Sequence, residues 1–209
     1  GRPSEILVKR NDTVKTGQII ARSSAFVSAN IHSPVSGKVK KIEDSMDTSG
    51  YRRQSILIDV DGDEWDESID RTGDLKKEVS FSPKEIIDKI FQAGIVGLGG
   101  ATFPSHVKLS IPEGKTVDTL IINGVECEPY LTADHRLMLE KGEEIMVGIS
   151  ILMKALQINR AIIGIENNKK DAIKHFEKLA GNYDGIEVKA LKVKYPQGGE
   201  KQLIKALIN

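Results

Sequence analysis

The chain changes its period near residue 80, and that change decides what it can fold into. Ahead of it, short β-rich runs such as "EILVK", "IIARS", "AFVSANI" and "GKVKKI" alternate with turn residues. Asn11-Asp12 and Gly17 are hairpin signals, and Pro34 and Gly37 frame a second turn in "SPVSG". Behind it, apolar residues recur at helical spacing and strands alternate with helices. The two patterns call for different architectures. The expectation is a small all-β sandwich or barrel over residues 1–60, a connector over 61–80, and an α/β domain over 81–209. The connector, "DGDEWDESIDRTGDLKKE", is densely charged and has no period.

The α/β half begins with a strong start signal. Ser82 is an N-cap, Pro83 takes the first helical position, and Glu85 completes a capping box. Ile86, Ile87, Ile90 and Phe91 form one apolar face, and Gly94 stops the helix. "TLIIN" at 119–123 reads as a buried strand, and "RAIIGIE" at 160–166 and "IEVKALKV" at 186–193 read as further strands. Residues 135–157 read as one long helix. "KKDAIKHFEKLAG" reads as another, and "GEKQLIKALI" starts a last one. Such alternation predicts a parallel sheet with right-handed crossovers and a ligand at the carboxyl ends of its strands.

Composition removes several classes of function. Thirty basic side chains balance thirty acidic ones in 209 residues, so no net basic field points to nucleic acid. Aromatic residues at 5% offer few stacking platforms for single strands. No apolar run approaches the ~20 residues of a membrane span. One cysteine, Cys127, excludes an internal disulfide and a multi-cysteine metal or iron–sulfur site within these residues. No leader peptide is legible, Gly1 reads as a trimmed start, and a cytoplasmic origin is the simplest expectation.

Three loops carry the candidate chemistry. "GIVGLGGATFP" at 94–104 holds Gly94, Gly97, Gly99 and Gly100. Their bare backbone can turn N–H groups toward an anion, with Lys108 adding a point charge. The spacing departs from the dinucleotide fingerprint, and a helix cap with a tight turn remains open as the plainer reading. "NGVECEPYLTADHR" at 123–136 puts Asn123, Glu126 and Glu128 beyond a strand end, where carboxylates can accept from ribose hydroxyls. A solvated acidic loop stays open there too. Glu126, Glu128, Asp134 and His135 lack the paired histidine spacing of a zinc site, so no metal is expected. Cys127 sits between two glutamates, far from the basic setting of a catalytic thiol. "YPQGGEK" at 195–201 offers Tyr195 for ring stacking and Gly198-Gly199 for close approach; a turn into the last helix is the plainer reading. No acid–base pair or nucleophile–histidine–acid arrangement is legible.

Together, "GIVGLGGATFPSHVKL", "LIINGVECEPYLTADHRLMLE", "IGIENNK" and "KYPQGGEKQL" resemble the RnfC component of Rnf electron transport complexes, and more distantly the flavin- and NADH-binding subunit of respiratory complex I. "VKRNDTVKTGQII" and "IHSPVSGKVKKI" resemble the leading barrel-sandwich hybrid domain of the RnfC family, which is similar to lipoyl and biotinyl carriers. Carriers bear a lysine shortly before this turn. "SAFVSAN" has none, so an unmodified domain is expected.

The resemblance implies a Rossmann-like domain holding FMN with NAD(H) over it. Gly97, Gly99 and Gly100 would approach the flavin phosphate and ribityl chain, with Lys108 helping. Asn123 and Glu126 would bind the flavin, and Tyr195, Gly198 and Glu200 would complete the site. Phe103 and Glu128 would contact the nicotinamide nucleotide. The cofactors carry the hydride chemistry, so no catalytic side chain is required. The resemblance further implies a peripheral subunit on the cytoplasmic side of the membrane. Its partners would be the other subunits and, indirectly, ferredoxin, with ion movement coupled to electron transfer. Relatives continue into a cysteine-rich segment with two 4Fe-4S clusters; this chain stops at Asn209, which reads as a fragment able to bind flavin and nucleotide. Thr102 stands where many relatives have glycine. A soluble cobalamin reductase of microcompartments and a non-catalytic scaffold are the alternatives.

Overall fold

The computed structural model describes residues 2–47, 49–98 and 101–208. They form two compact units that alternate along the chain. Residues 1–74 and 87–110 make the first, and 75–86 with 111–209 the second.

Hairpins build the first unit. Its strands are β1 (Glu5–Ile6), β2 (Thr13–Val14), β3 (Ile19–Arg22), β4 (Ile31–His32), β5 (Gly37–Met46) and β6 (Arg52–Val60). They pair antiparallel into two three-stranded sheets, β1-β3-β4 and β2-β5-β6. Asn11 sits at φ 75°, a left-handed conformation that asparagine tolerates, and Asp12 accepts from the Lys9 amide at 2.9 Å. The Asn-Asp turn signal is therefore a real turn. Alternation along the strands sends Val14, Ile20 and Val39 into a small core, with Val8, Ile42, Ile56 and Ile58 around it.

Residues 61–69 of the expected connector are built into this unit. The Glu64 amide donates to Ser36 Oγ at 3.1 Å, the Asp66 amide to Thr16 O at 2.8 Å, and Trp65 pairs with Thr16. An aperiodic charged segment can still be ordered when its backbone donors find partners.

Helix α1 (Pro83–Gln92) starts in the second unit and ends in the first. Its capping box forms: Ser82 N and Oγ both donate to Glu85 Oε2, at 2.7 and 2.6 Å. Gly94 ends it at φ 64°, with the Ile95 amide returning to Ile90 O at 3.2 Å. A Cβ at Gly94 would meet Asn30 O at 2.3 Å, so only glycine fits. A short helix that the sequence did not announce, α2 (Ser105–Leu109), follows. Its His106 is buried, with Nε2 3.1 Å from Phe26 O and an edge contact to the Phe91 ring.

The second unit is α/β. Its strands β7 (Leu120–Gly124), β8 (Ala161–Glu166) and β9 (Ile186–Leu191) are parallel, with β8 in the middle. All six β8 residues are buried, as befits a strand covered on both faces. The helices are α3 (Ala133–Glu140), α4 (Gly142–Leu156), α5 (Lys170–Ala180) and α6 (Glu200–Ile208). Met146, Ile149, Ile163, Ile165 and Phe176 are the heart of its main core.

One expectation is corrected here. Residues 135–157 are not one helix, because the chain breaks at Lys141, whose φ is −128°. Gly142 explains the position of the break. A Cβ there would lie 2.4 Å from His175 Nε2 and 2.9 Å from Leu179, so α4 presses its first residue against α5. The periodicity of α3 and α4 hides this, since both carry apolar faces.

Candidate functional site

The carboxyl ends of β7 and β8 collect most of the candidate residues in the second unit. Asn123 is the exposed fourth residue of β7. Its Nδ2 donates to Gly198 O at 3.0 Å, and its Oδ1 accepts from the Val125 amide at 3.1 Å. That one side chain joins the 123–128 loop to the 195–200 loop. Gly198 packs closely at the junction, where a Cβ would stand 3.3 Å from both Cys127 Sγ and Val125 O. The sequence motifs "NGVECEP" and "YPQGGEK" are thus one structure.

Glu126 serves the protein around it. Thr132, the N-cap of α3, makes no side-chain cap of its own. The Glu126 carboxylate takes that part from six residues upstream. Its Oε1 accepts from the Asp134 amide at 2.7 Å, and its Oε2 from the His135 amide at 3.2 Å. Two orphan donors of the first turn are satisfied, and negative charge lies at the positive end of the helix. Oε2 also receives Lys169 Nζ at 2.6 Å, in an ion pair with side-chain exposures of 4% and 8%. Burial works to raise the Glu126 carboxyl, but Lys169 and the two amides hold it below the ordinary glutamate value. Asp134 lies just beyond; burial and the Glu126 charge push its carboxyl up. His135 turns the other way, with Nε2 2.8 Å from Asp171 Oδ1, and that contact pulls Asp171 down.

Lys169 and Glu166 were absent from the sequence-based candidates. Glu166 ends β8 with no solvent exposure, and neither carboxylate oxygen has a hydrogen-bond partner among the described residues. Burial pushes its carboxyl above the ordinary value, against the pull of Lys169 and of the nearby Glu126 amide. A signal existed: "AIIGIE" is an apolar run that closes on a carboxylate, with a lysine one turn later.

The remaining candidates of this unit face outward. Glu128, Tyr195 and Glu200 are exposed, with Glu200 opening α6. Tyr195 leaves 68% of its surface open.

Gly97, Phe103 and Lys108 belong to the first unit. The Gly97 amide donates to Phe103 O at 3.0 Å, closing the loop on itself. Its donor is engaged there, so what Gly97 can offer a ligand is bare surface. A Cβ at Gly97 would meet only Phe103 O at 3.9 Å, so packing does not demand glycine at this position. Lys108 is exposed on α2, and Phe103 stands at the edge of exposure. Thr102 adopts φ 48°, a region where glycine is at ease and a β-branched residue is strained. Gly99 and Gly100 lie outside the described residues.

Comparison with known proteins divides the chain between residues 63 and 90, ahead of the 94–104 loop. Residues 90–209 match the family described as the Nuo51 FMN-binding domain, and residues 1–63 match the RnfC barrel sandwich hybrid domain. The chain is 47% identical over 208 residues to the C component of the Na(+)-translocating ferredoxin:NAD(+) oxidoreductase complex of Acetobacterium woodii, covering 99% of this chain and 46% of that one. It is 48% identical over 210 residues to the proton-translocating counterpart of Clostridium ljungdahlii, covering 99% and 45%. It therefore spans less than half the length of these relatives. Among solved structures, the NAD+-reducing [NiFe]-hydrogenase in its H2-reduced state shares the fold, with a TM-score of 0.53 at 23% identity over 59% of this chain and 24% of that one.

Proposed function

The chain belongs to the Nuo51 FMN-binding domain family and carries an RnfC barrel-sandwich domain ahead of it; from that premise we propose that it binds FMN and NAD(H) as part of one component of a ferredoxin:NAD+ oxidoreductase. The observation that carries the reading is the junction at the carboxyl end of the sheet. Asn123 and Gly198 fix two loops together, and Tyr195, Glu128 and Glu200 remain exposed beside them. Open α/β sheets hold their ligands at this edge. The exposed ring suits a planar heterocycle, and the exposed carboxylates suit sugar hydroxyls.

FMN, when bound, would accept hydride from NADH and pass electrons onward. The chain's part is to bind, orient and exclude water. In the second unit, Asn123, Tyr195, Gly198 and Glu200 are the flavin contacts and Glu128 the nucleotide contact. Glu126 supports the loop that presents them. In the first unit, Gly97, Gly99, Gly100 and Lys108 are assigned to the phosphate and ribityl chain and Phe103 to the nicotinamide nucleotide. The unneeded glycine at 97 supports this, since a residue that local packing does not require is explained by a ligand's approach.

In the longer polypeptide, 4Fe-4S clusters would take the electrons. Residues 1–60 serve as an unmodified docking domain, to which residues 61–69 and 87–110 add, and the flavin-binding match begins at residue 90. The partners are the other subunits and, through them, ferredoxin, on the cytoplasmic side of the membrane. Among the described residues, no helix is long and apolar enough to cross one.

An FMN titration followed by flavin fluorescence tests the reading, with NADH reduction as the second step. Gly97→Ala is the informative variant, because its Cβ has room in the folded loop. Saturable binding that weakens at least about tenfold in Gly97→Ala, with thermal stability unchanged, is the expected result. Unaltered affinity in the variant removes the glycine loop from the site.

A further inference from the structure

Two carboxylates and one ammonium are buried together at the carboxyl edge of the sheet. Lys169 can neutralise one of them fully, and it is engaged 2.6 Å from Glu126. Glu166 is left without solvent and without a hydrogen-bond partner among the described residues. An ionised carboxylate in that state is among the costliest groups a fold can carry, and a proton removes the cost.

We propose that Glu166 is a positioning residue for the 125–132 loop: while it carries a proton it leaves Lys169 to Glu126, and when it loses that proton it draws Lys169 away. The chain of effect is short. Lys169 leads into α5 and its amide donates to Glu166 O at 3.0 Å, so the two residues are one turn apart. Glu126 holds the Asp134 and His135 amides, and through them the first turn of α3. Losing Lys169 leaves Glu126 with uncompensated buried charge, which favours its retreat toward water. The loop between Glu126 and α3 holds Glu128, so the ligand face proposed above moves with it. This inference rests on that reading for its functional meaning.

The charged surroundings of Glu166 are few. Glu126 comes from the loop after β7, Lys169 from the turn before α5, and Asp134 from α3 acts through Glu126. On the β9 side the paired residue is Leu191, which has no charge. Burial raises the Glu166 carboxyl, so the folded chain keeps a proton that the unfolded chain releases near the ordinary glutamate value of 4.5. The stability tied to that proton is whole below the ordinary value and is lost as pH rises through the raised one.

The test follows the side-chain carboxyl of Glu166 by NMR in the flavin-free 209-residue chain. Amide hydrogen exchange at Asp134 and His135 is measured alongside. Glu166 is expected to titrate above the ordinary glutamate value. Protection of the two amides, corrected for intrinsic exchange, should fall about tenfold as Glu166 titrates and stay flat in Glu166→Gln. Lys169→Arg should keep the wild-type profile, since it preserves the cation. A Glu166 that titrates at or below the ordinary glutamate value overturns the proposal, as does identical pH dependence in Glu166→Gln. If that variant does not fold, the wild-type titration against its own amide protection decides: protection that does not follow Glu166 is a refutation. FMN affinity across the same pH range then adds the functional reading. Absent flavin binding alongside a coupled Glu166 and α3 would refute the cofactor assignment and leave this device standing.

Discussion

The two units bury polar groups in opposite ways. In the first, the buried polar side chains are Ser28, Asn30, Ser33, Ser36 and His106, with no carboxylate or ammonium among those described. Ser33 and Ser36 donate to carbonyls at 2.6 and 2.9 Å, and Asn30 accepts from the Ser23 amide while reaching the last carbonyls of α1. In the second, the buried polar residues are Glu166 and Lys169, with the Glu126 side chain beside them. Neutral hydrogen-bonded groups hold a turn or a cap in place. Buried ions are expensive, and they concentrate where a fold has chemistry to arrange. The contrast separates a scaffold-like unit from one built around a charged edge.

The sharpest way to break that contrast is Lys169→Met. It strands the Glu126 carboxylate and should cost about 3–5 kcal/mol in urea unfolding, while Glu126→Gln in the same chain should recover much of the loss. A cost under about 1 kcal/mol would make the pair ornamental. Core truncation comes next. Phe176→Ala in the α/β core should lose about 3–5 kcal/mol, whereas Val39→Ala in the barrel core should lose roughly 1–2 kcal/mol, because the smaller core removes less apolar surface. Equal losses by calorimetry would mean that the barrel is as tightly packed as the sheet. Gly94→Ala combines a positive φ with a Cβ 2.3 Å from Asn30 O, and a loss of about 2 kcal/mol is expected in thermal denaturation. The smallest effect, and of opposite sign, belongs to Thr102→Gly. Relief of its left-handed strain should offset the added chain entropy and leave a gain of no more than about 1 kcal/mol. A clear destabilisation would show that the hydroxyl contact to Ala101 O, at 2.8 Å, matters more than the backbone.

Legibility in the sequence followed the range of the forces involved. The capping box at Ser82 and Glu85, the stop at Gly94 and the strands at 120–124, 161–166 and 186–191 were all readable, because each is set by neighbours a few residues away, although burial along the whole strand holds for 161–166 alone of the three. The break at Lys141 was not, since Gly142 is required by His175, 33 positions on, and no local pattern carries that fact. In the site, Asn123 and Gly198 were named for separate loops, and only the fold shows one bonded to the other. Glu126 was named as a flavin contact, and the fold gives it a structural task that the sequence did not announce. A carboxylate two residues past a strand reads as a ligand contact, while its hold on α3 depends on amides eight and nine residues away. Lys169 and Glu166 escaped notice because a charged pair after a strand resembles any helix start until burial is known.

The alternation of the two units along the chain has a consequence for how the protein is made. The barrel lacks its last pieces, α1's final turns and α2, until residue 110 has emerged from the ribosome, and by then residues 75–86 of the other unit are already synthesised and waiting. Domains usually fold in order, N-terminal first. Here the segment between Leu75 and Ile86 leaves the ribosome before its own sheet, which begins at Leu120, has been translated. No single cut separates both units whole: a cut after residue 110 keeps the first intact but takes 75–86 from the second, and a cut after residue 74 keeps the second intact but takes 87–110 from the first.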